Sequence, residues 1–415
     1  MKNNLLRILT TAALLVAAVV VYSQNKSAGI NISLWNKVST QPLQESQQTY
    51  LNLGILSTEN KLHGAAINLI GNTTLHSAKG LQVAGLTNIT KESSYGVNIA
   101  GLMTINSEYA NGITLAGLAN IVGESQHGLI FGGLFNTIGI DSKGIAIAGI
   151  GNFNGYNSQG IALAGITNIF GEDMKGVAIS GIMNLTESIR GLSIAGLLNM
   201  SDNTKGVTIA ALNINSNEFN GLQTGLLNVN AEHMNGVQIG IMNVGIKHYG
   251  LQLGVINYYK DKFKGMQLGL VNLNANTKYD ILLYGGNLSK VNAAMRFKNK
   301  LFYNIVGVAT PYLKFSDKFS GALTYRTGVH FSLNKHFDIS SDLGYQHINT
   351  FQNKDKNLGI PKRMYSLQAR LNLEVAFSSK WAIIATGGYA TTRWYSKSQT
   401  YKKGILCEGG IAYTI

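Results

Sequence analysis

A short unit recurs along most of this chain at a nearly constant spacing. Each copy begins at a glycine. The copies start at Gly64, follow at seven steps of 16 residues and then at six steps of 14 or 15, and end with the copy at Gly265. Two neighbouring copies read "GLQLGVIN" (250–257) and "GMQLGLVN" (265–272). Such regular self-similarity is typical of an architecture in which every copy forms one structural unit and packs on the next.

Each unit has the pattern of a β-strand followed by a corner. Apolar and variable positions alternate after the first glycine, which indicates a strand. In the copy at 250–257, Gly250 and Gly254 are expected to shape the backbone, the apolar side chains between them and after them to fill a core, and Asn257 to tie a turn. A polar stretch follows each copy. The composition, with 48 Gly, 3 Pro and many β-branched residues, also favours strands.

Two all-β architectures are compatible with this repeat. In a β-solenoid each unit is one coil and equivalent residues stack into ladders, so every unit has the same environment. In a single large antiparallel barrel each unit is one strand, and the connections alternate between two sides. No odd–even alternation is visible in the connections. A water-filled lumen would also require one polar face, whereas both faces of the repeat are small or apolar. The sequence favours the solenoid of 14–16-residue repeats and leaves the continuous barrel as the alternative.

The residues predicted to carry the repeat are a set of glycines and a set of asparagines at equivalent positions. The glycines are Gly80, Gly112, Gly144, Gly176, Gly221, Gly236, Gly250 and Gly265. The asparagines, expected to form a hydrogen-bonded ladder, are Asn88, Asn120, Asn136, Asn152, Asn168, Asn184, Asn243, Asn257 and Asn272.

The segment before the repeats has two predicted parts. Lys2 and Arg7 precede the apolar run 8–21, and Ser23 stands where a signal peptidase would cleave. Residues 1–23 are therefore predicted to be a secretory signal peptide. Residues 24–63 hold degenerate copies and are expected to cap the repeat domain of residues 64–278. The single cysteine, Cys407, excludes an intramolecular disulfide.

The segment 279–415 has the pattern of an outer-membrane-type barrel. Its strands are longer than those of the repeats, and apolar and polar residues alternate, as in "YSLQARLNLEVAF" (365–377). About eight antiparallel strands are predicted, and short and long connections largely alternate between them. A soluble two-sheet sandwich would show the same alternation and is the alternative. The predicted strands are 279–286, 290–298, 301–309, 320–333, 336–346, 363–377, 380–393 and 403–415.

Several charged residues fall on the polar face of these strands. Inside a closed barrel such charges must be paired, because burying an unpaired charge is costly. We expect buried ion pairs that fill a narrow barrel, with an ion or proton path as the alternative. The candidates for the barrel interior are Arg326, Asp342, Arg370, Glu374 and Glu408.

The net charge of +14 is concentrated in this C-terminal segment, since residues 290–403 contain 18 Lys and Arg against 5 Asp and Glu. Lysines in the predicted outer connections, such as Lys362 and Lys403, suggest contact with lipopolysaccharide or a surface polysaccharide as one role and ordinary solvated charge as another. Outer-membrane lipid is the other expected partner. Nucleic acid is not expected, and the sequence does not predict an oligomeric state.

No catalytic signature is present in the sequence. It contains no H-E-x-x-H, G-x-S-x-G, Walker loop or C-x-x-C motif, and the acidic turns are too sparse for a calcium loop. The chain is therefore predicted not to be an enzyme and to use no cofactor or metal.

The octets "GLQLGVIN", "GVQIGIMN" and "GLQTGLLN" resemble the tandem G-[LV]-Q-x-G-[LIV]-x-N units of Gram-negative bacterial surface-repeat proteins. The resemblance covers residues 64–272, and the earlier units depart from it where Ala, Thr or Asn replaces Gln. It implies a cell-envelope location and a non-enzymatic role. The first hypothesis is a surface repeat protein with a structural, adhesive or binding role, anchored in the outer membrane by the barrel. The alternative is a pore or transport barrel formed by repeats and C-terminal strands together.

Overall fold

The protein is an all-β chain. The computed structural model describes residues 29–36, 38–41, 43, 47–314, 318–353, 361–396 and 399–415. All regular secondary structure in these residues is β-strand. None of the residues described forms a helix long and apolar enough to cross a membrane. The predicted signal peptide, residues 1–23, lies outside the described residues. The chain forms two compact units, the first ending at Gly225 and the second beginning at Leu226.

A parallel β-solenoid of about 14 turns precedes a closed antiparallel barrel of eight strands. The solenoid strands are β1 (Ile30–Trp35), β2 (Val38–Ser39), β3 (Gln48–Glu59), β4 (Lys61–Thr74), β5 (Ala78–Ala84), β6 (Thr87–Thr90), β7 (Ser94–Ala100), β8 (Met103–Asn106), β9 (Tyr109–Ala116), β10 (Ala119–Val122), β11 (Ser125–Gly132), β12 (Phe135–Ile138), β13 (Ser142–Ala148), β14 (Gly151–Asn154), β15 (Ser158–Ala164), β16 (Thr167–Phe170), β17 (Asp173–Ser180), β18 (Met183–Ala195), β19 (Leu198–Ile209), β20 (Leu212–Asn215), β21 (Glu218–Leu268) and β22 (Val271–Asn274).

Each coil of the solenoid consists of a longer strand, a corner and a shorter strand. Strand β9 pairs in parallel with β11, and β10 pairs with β12, so the two kinds of strand form two sheets. The register is one repeat, because Gly112 lies opposite Gly128 and Asn120 lies opposite Asn136. Equivalent residues of successive units therefore stack on one another. This confirms the predicted solenoid and excludes the single continuous barrel.

The glycine that begins each unit is required by the backbone. Gly112 has a φ of 116°, in the region that favours glycine, and a Cβ there would overlap the carbonyl oxygen of Gly96 in the coil below. Gly250 has the same problem, with a φ of 132° and the carbonyl oxygen of Gly236 in the way. The period of the glycines in the sequence is thus the period at which the backbone turns into close contact with the preceding coil.

Most of the large aliphatic residues in the repeat octets do not fill a core, contrary to the expectation from the sequence. Leu253 and Val255 are 39% and 42% exposed, whereas Gln252 and Asn257 are fully buried. The alternation of apolar and variable residues does indicate a strand, but the face that was expected to be buried is the exposed one. The small and amide-bearing side chains point inwards, together with some larger apolar ones such as Ile130 and Phe170, and most of the other aliphatic side chains point outwards. The amides can be buried because they hydrogen-bond along the stack.

The degenerate copies before Gly64 also take part in the parallel pairing. Strand β1 already pairs in parallel with β3, with Ile32 opposite Leu53, and β3 continues into the same pairing with β4. The described part of residues 24–63, which was predicted to be a cap of degenerate copies, thus contributes coils of its own.

The barrel follows the last coil, which ends at Asn274, within the second unit. Its strands are β23 (Lys278–Gly286), β24 (Val291–Lys298), β25 (Phe302–Thr310), β26 (Leu313–Lys314), β27 (Lys318–Ser332), β28 (Phe337–Asn353), β29 (Arg363–Ala376), β30 (Trp381–Trp394) and β31 (Thr400–Thr414).

Eight of these strands close the barrel. Neighbours in the chain pair antiparallel, β25 pairs directly with β27, and β23 pairs with β31, where Asp280 lies opposite Thr414. The two-residue strand β26 pairs with β27 alone among the strands that the structure describes. The predicted strands match the observed ones closely, except that β28 continues to Asn353 instead of ending at residue 346. Part of the predicted outer connection, residues 354–360, lies outside the described residues.

The barrel is polar inside and apolar outside. On β29, Ser366, Gln368 and Arg370 are buried, whereas Leu367 and Leu371 are 47% and 66% exposed. Short turns join the strands at one rim, at residues 299–301, 333–336 and 377–380. The chain enters β23 at this same rim. We call it the short-turn rim.

Candidate functional site

A ladder of asparagines runs through the solenoid interior. The Nδ2 of Asn136 donates to Oδ1 of Asn152 at 2.8 Å and to the carbonyl oxygen of Ile147 at 2.7 Å, and its own Oδ1 accepts from Asn120. One amide thus joins three coils and also bridges the corner between the two sheets. The chain of bonds repeats because an amide both donates and accepts, so identical residues satisfy one another.

The predicted repeat residues occupy equivalent places in this stack. Positive φ values between 112° and 152° are found at the repeat glycines Gly80, Gly112, Gly144, Gly176, Gly221, Gly236, Gly250 and Gly265. The buried inner face holds Asn88, Asn120, Asn136, Asn152, Asn168, Asn184, Asn243, Asn257 and Asn272. The glutamines of the later units form a second ladder, in which Gln252 donates to Gln238 and Gln267 donates to Gln252.

Two titratable side chains are buried in the solenoid. Burial raises the pKa of Glu59 to about 7, although Thr74 and Asn52 donate hydrogen bonds to its carboxyl group. Burial lowers the pKa of His248 to about 4. His248 is fully buried, stacks on Phe263 and occupies a position at which neighbouring units have Phe or Met. Both positions belong to the neutral interior of the coil.

The barrel interior holds charged residues instead of amide ladders. Arg326 binds Asp342 through two nitrogen atoms, at 2.9 and 2.6 Å. The Tyr303 hydroxyl and the Asn372 amide donate to the same carboxylate at 2.8 and 2.9 Å. Arg370 donates to Glu408 at 3.0 Å and lies 3.9 Å from Asp342. The charges therefore alternate along a continuous chain across the lumen.

A second chain of charges lies nearer the short-turn rim. Arg296 binds Asp280 at 2.7 Å and Glu374 at 2.6 Å. Lys298 lies 3.8 Å from Glu374 and is bonded to Asp338. All the candidates for the interior are thus in the lumen, and each is part of an ion pair. They are Arg326, Asp342, Arg370, Glu374 and Glu408.

The lumen between these groups is filled by side chains. A cavity of about 10 Å³ remains beside Arg326, Tyr303 and Asn372. A single water molecule needs at least this volume. The arrangement therefore forms a plug and leaves no aqueous channel through this part of the barrel.

A cleft of about 1160 Å³ opens at the short-turn rim, within the second unit. One wall comes from the connection between the last coils, including Tyr259 and Phe263, and the other from the rim of the barrel, including Trp381. Its volume is that of a site for a large ligand. We call it the lysine cleft after the lysines that line it, which are Lys262, Lys264, Lys278, Lys298, Lys300, Lys335 and Lys380.

The cleft has an excess of positive charge, because seven lysines line it against four carboxylates, and three of these carboxylates are already paired; the fourth is Asp261. Asp280, Asp338 and Glu374 are paired with Arg296 and Lys298. Within the described residues, the other six lysines have no carboxylate within ion-pair distance. Such an uncompensated group of ammonium ions attracts anions.

Sequence reasoning missed Asp280, Arg296 and Tyr303 as interior residues. Arg296 and Asp280 lie directly opposite each other on paired strands. Their alternation with apolar neighbours, as in "MRF" and "YDI", was the available signal. The lysine cleft could not be found in this way, because it joins residues that are far apart in the sequence.

Comparison of the chain with protein-family models and with curated proteins finds no match.

Proposed function

We propose that this protein is a non-enzymatic cell-envelope protein that is anchored in an outer membrane by its C-terminal barrel and carries the solenoid as a scaffold. The observation that carries the proposal is the closed eight-stranded barrel with an apolar exterior and an interior of paired charges. Lipid can solvate such an exterior, and closure leaves no unpaired strand edge.

The short-turn rim is assigned to the periplasmic side. Bacterial outer-membrane barrels have short periplasmic turns and longer extracellular loops. The last coils enter β23 at that rim, so the coils of residues 226–274 are proposed to lie in the periplasm. A periplasmic position is compatible with the cell-envelope location that the repeat resemblance implies.

Epitope insertions in the full chain, expressed in a Gram-negative host, test both points. A tag in the turn at Leu288, at the opposite rim, should bind antibody on intact cells. Tags at Ser379 in a short turn and at Glu232 in a coil should bind only after the outer membrane is permeabilised. Recovery of the protein in the soluble periplasmic fraction would overturn the anchor, and surface reactivity of Glu232 would reverse the orientation.

The lysine cleft supports a binding role for the scaffold. We propose as its ligand an anionic envelope polymer that carries carboxylate or phosphate groups. Polygalacturonate and inorganic polyphosphate serve as probes for the two chemistries, with neutral dextran as the control. Replacing Lys262, Lys264 and Lys335 by Gln should weaken binding at least tenfold and reduce its dependence on salt. The matched control replaces Lys402 and Lys403 on β31, outside the cleft, and should leave binding unchanged.

A pore is not favoured. The hypothesis of a transport barrel required the repeats and the C-terminal strands to form one sheet, whereas in the described residues the solenoid strands and the barrel strands belong to separate sheets.

A further inference from the structure

The corner of nearly every coil presents a large aliphatic side chain to the outside, and the coil that begins at Gly206 has Ala211 at this position. We call these aliphatic side chains the corner ladder. In the first compact unit, which ends at Gly225, the corner ladder consists of Leu86, Leu102, Leu118, Leu134, Ile150, Ile166, Ile182 and Leu197. Leu118 is 42% exposed and Ile166 is 40% exposed. In the second unit the equivalent residues are Leu226, Ile241, Val255 and Leu270, and Leu226 is 59% exposed.

The outward positions on both sides of the corner are apolar as well. On β15 the outward residues are Ile161 and Leu163, and on β16 the outward residue after the buried asparagine is Ile169. The same positions recur from coil to coil. The exposed apolar surface therefore extends over successive coils, whereas a soluble monomer usually exposes no contiguous apolar patch larger than about a few hundred Å².

Charged residues are confined to the opposite edge of the coil. In every repeat copy between Gly64 and Asn274, the ten or eleven residues from the first glycine to the second residue after the asparagine-ladder position contain no Asp, Glu, Lys or Arg. All charges fall in the connections, such as Lys91 and Glu92, or just before the next glycine, such as Lys143. Each coil is thus divided into a charged edge and an apolar side.

Lipid is the occupant that this division fits. Most amides of the inner face bond to one another, as Asn136 and Asn152 do, so burying the outer face against protein is not needed to satisfy them. The apolar side also adjoins the barrel wall in the second unit, since Asn304 and the Tyr325 hydroxyl on that wall bond the carbonyl oxygen of Gly269, next to Leu270 of the corner ladder. The coil surface there is continuous with the wall that the proposed anchor exposes to lipid.

We propose that the solenoid is a monotopic membrane-binding surface, whose corner ladder and flanking aliphatic residues enter the lipid leaflet while its charged edge stays in water. The inference rests on the proposed outer-membrane anchor, and it adds a second contact with the membrane that is separate from the barrel. Apolar side chains inserted to the level of the acyl chains hold other interfacial structures in the same way.

Spin-label accessibility on the full chain in phospholipid vesicles tests this. A nitroxide is attached to Ile166→Cys or to Gln159→Cys in a Cys407→Ala background. Both positions belong to one coil, Ile166 in the corner ladder and Gln159 exposed at the charged edge. Oxygen concentrates in the bilayer and a water-soluble nickel chelate is excluded from it. We expect the label at 166 to collide several-fold more with oxygen than with the chelate, and the label at 159 to show the reverse.

Two outcomes would overturn the inference. Ready collision of the label at 166 with the nickel chelate would place the ladder in water. Low collision with both reagents would mean that a second copy of the chain covers the ladder. A label on the native Cys407, which is exposed on β31, reports barrel insertion separately. Chelate access at Cys407 would therefore count against the anchor, whereas chelate access at 166 alone counts against the lipid-binding solenoid.

Discussion

The solenoid and the barrel both place polar groups inside and apolar groups outside, but they satisfy the polar groups differently. The solenoid interior uses neutral amides, each bonded to the same residue one coil away, as Asn152 is to Asn168. The barrel interior uses opposite charges, as where Arg296 lies between Asp280 and Glu374. An amide is complementary to itself, whereas a charge needs a partner of opposite sign.

This difference explains why only one of the two regions is repetitive. A self-complementary residue can occupy every rung of a ladder, so stacking preserves one sequence pattern. Ion pairs cannot be built from one repeated residue. The antiparallel barrel instead brings together residues that are distant in the chain, and Arg296 and Glu374 are 78 positions apart.

Removing a charge from the barrel should have the largest effect. Asp342→Ala leaves Arg326 without its carboxylate in a closed lumen, and the free energy of unfolding should fall by about 3–5 kcal/mol. Hydrogen–deuterium exchange of peptides from β27 and β28, followed across a urea series in micelles, measures the loss. The double variant Arg326→Leu with Asp342→Leu removes both charges and should recover at least half of it. Equal loss in the single and double variants would mean that packing, not unpaired charge, governs this site.

The sequence predicted the fold class and most strand positions because both depend on periodicity. The β29 alternation, for example, placed Arg370 and Glu374 on one face without any knowledge of their partners. The partners themselves could not be predicted. Alternation assigns a residue to a face, whereas pairing depends on the register and closure of strands that are far apart in the chain.

Which face of the solenoid is inside was predicted wrongly for a related reason. Leu253 and Val255 were assigned to a core by the rule that aliphatic residues are buried, and the amides of Gln252 and Asn257 decided otherwise. The exclusion of charges from the apolar side was visible in the sequence. It was compatible with a core as well as with lipid, so it could not distinguish the two.

The neutrality of the solenoid interior predicts a pH dependence. The pKa of Glu59 is about 7 in the folded protein, whereas the ordinary value for this carboxyl group is 4.5, so the folded state binds the proton more tightly. Proton binding by Glu59 therefore contributes about 3 kcal/mol to the free energy of unfolding. This contribution is complete below pH 4.5 and is lost as pH rises through 7. Hydrogen exchange of β3 and β4 should therefore accelerate over this window.

Glu59→Gln should abolish the pH dependence (the slope) of hydrogen exchange in β3 and β4, and it should stabilise the coil above pH 7. The matched control is Glu92→Gln, which changes a half-exposed carboxylate that faces His76 at the charged edge. This control should retain the wild-type slope in β3 and β4. If Glu59→Gln retains it too, the titrating group lies elsewhere.

Breaking the amide ladder should have a smaller effect than removing the barrel charge. Asn136→Ala deprives Asn120 and Asn152 of a partner and should cost about 2 kcal/mol, measured by urea denaturation with hydrogen exchange in β12 and β14. The chain supplies its own control. Thr104 occupies the ladder position in another coil and donates to Asn120 at 2.6 Å. Asn136→Thr should thus lose less than half as much, and an equal loss would contradict the bonded ladder.

The smallest effect is expected at the corner ladder. Leu118 is 42% exposed, so Leu118→Ala should change the free energy of unfolding by less than about 0.5 kcal/mol in micelles. Ile130, fully buried in the same region, is the matched comparison, and Ile130→Ala should cost about 2–5 kcal/mol by leaving a cavity. Urea denaturation of both variants measures the difference. A loss at Leu118 as large as at Ile130 would restore the aliphatic side to a core and remove the contrast between an inner face that folds the coil and an outer face left free for lipid.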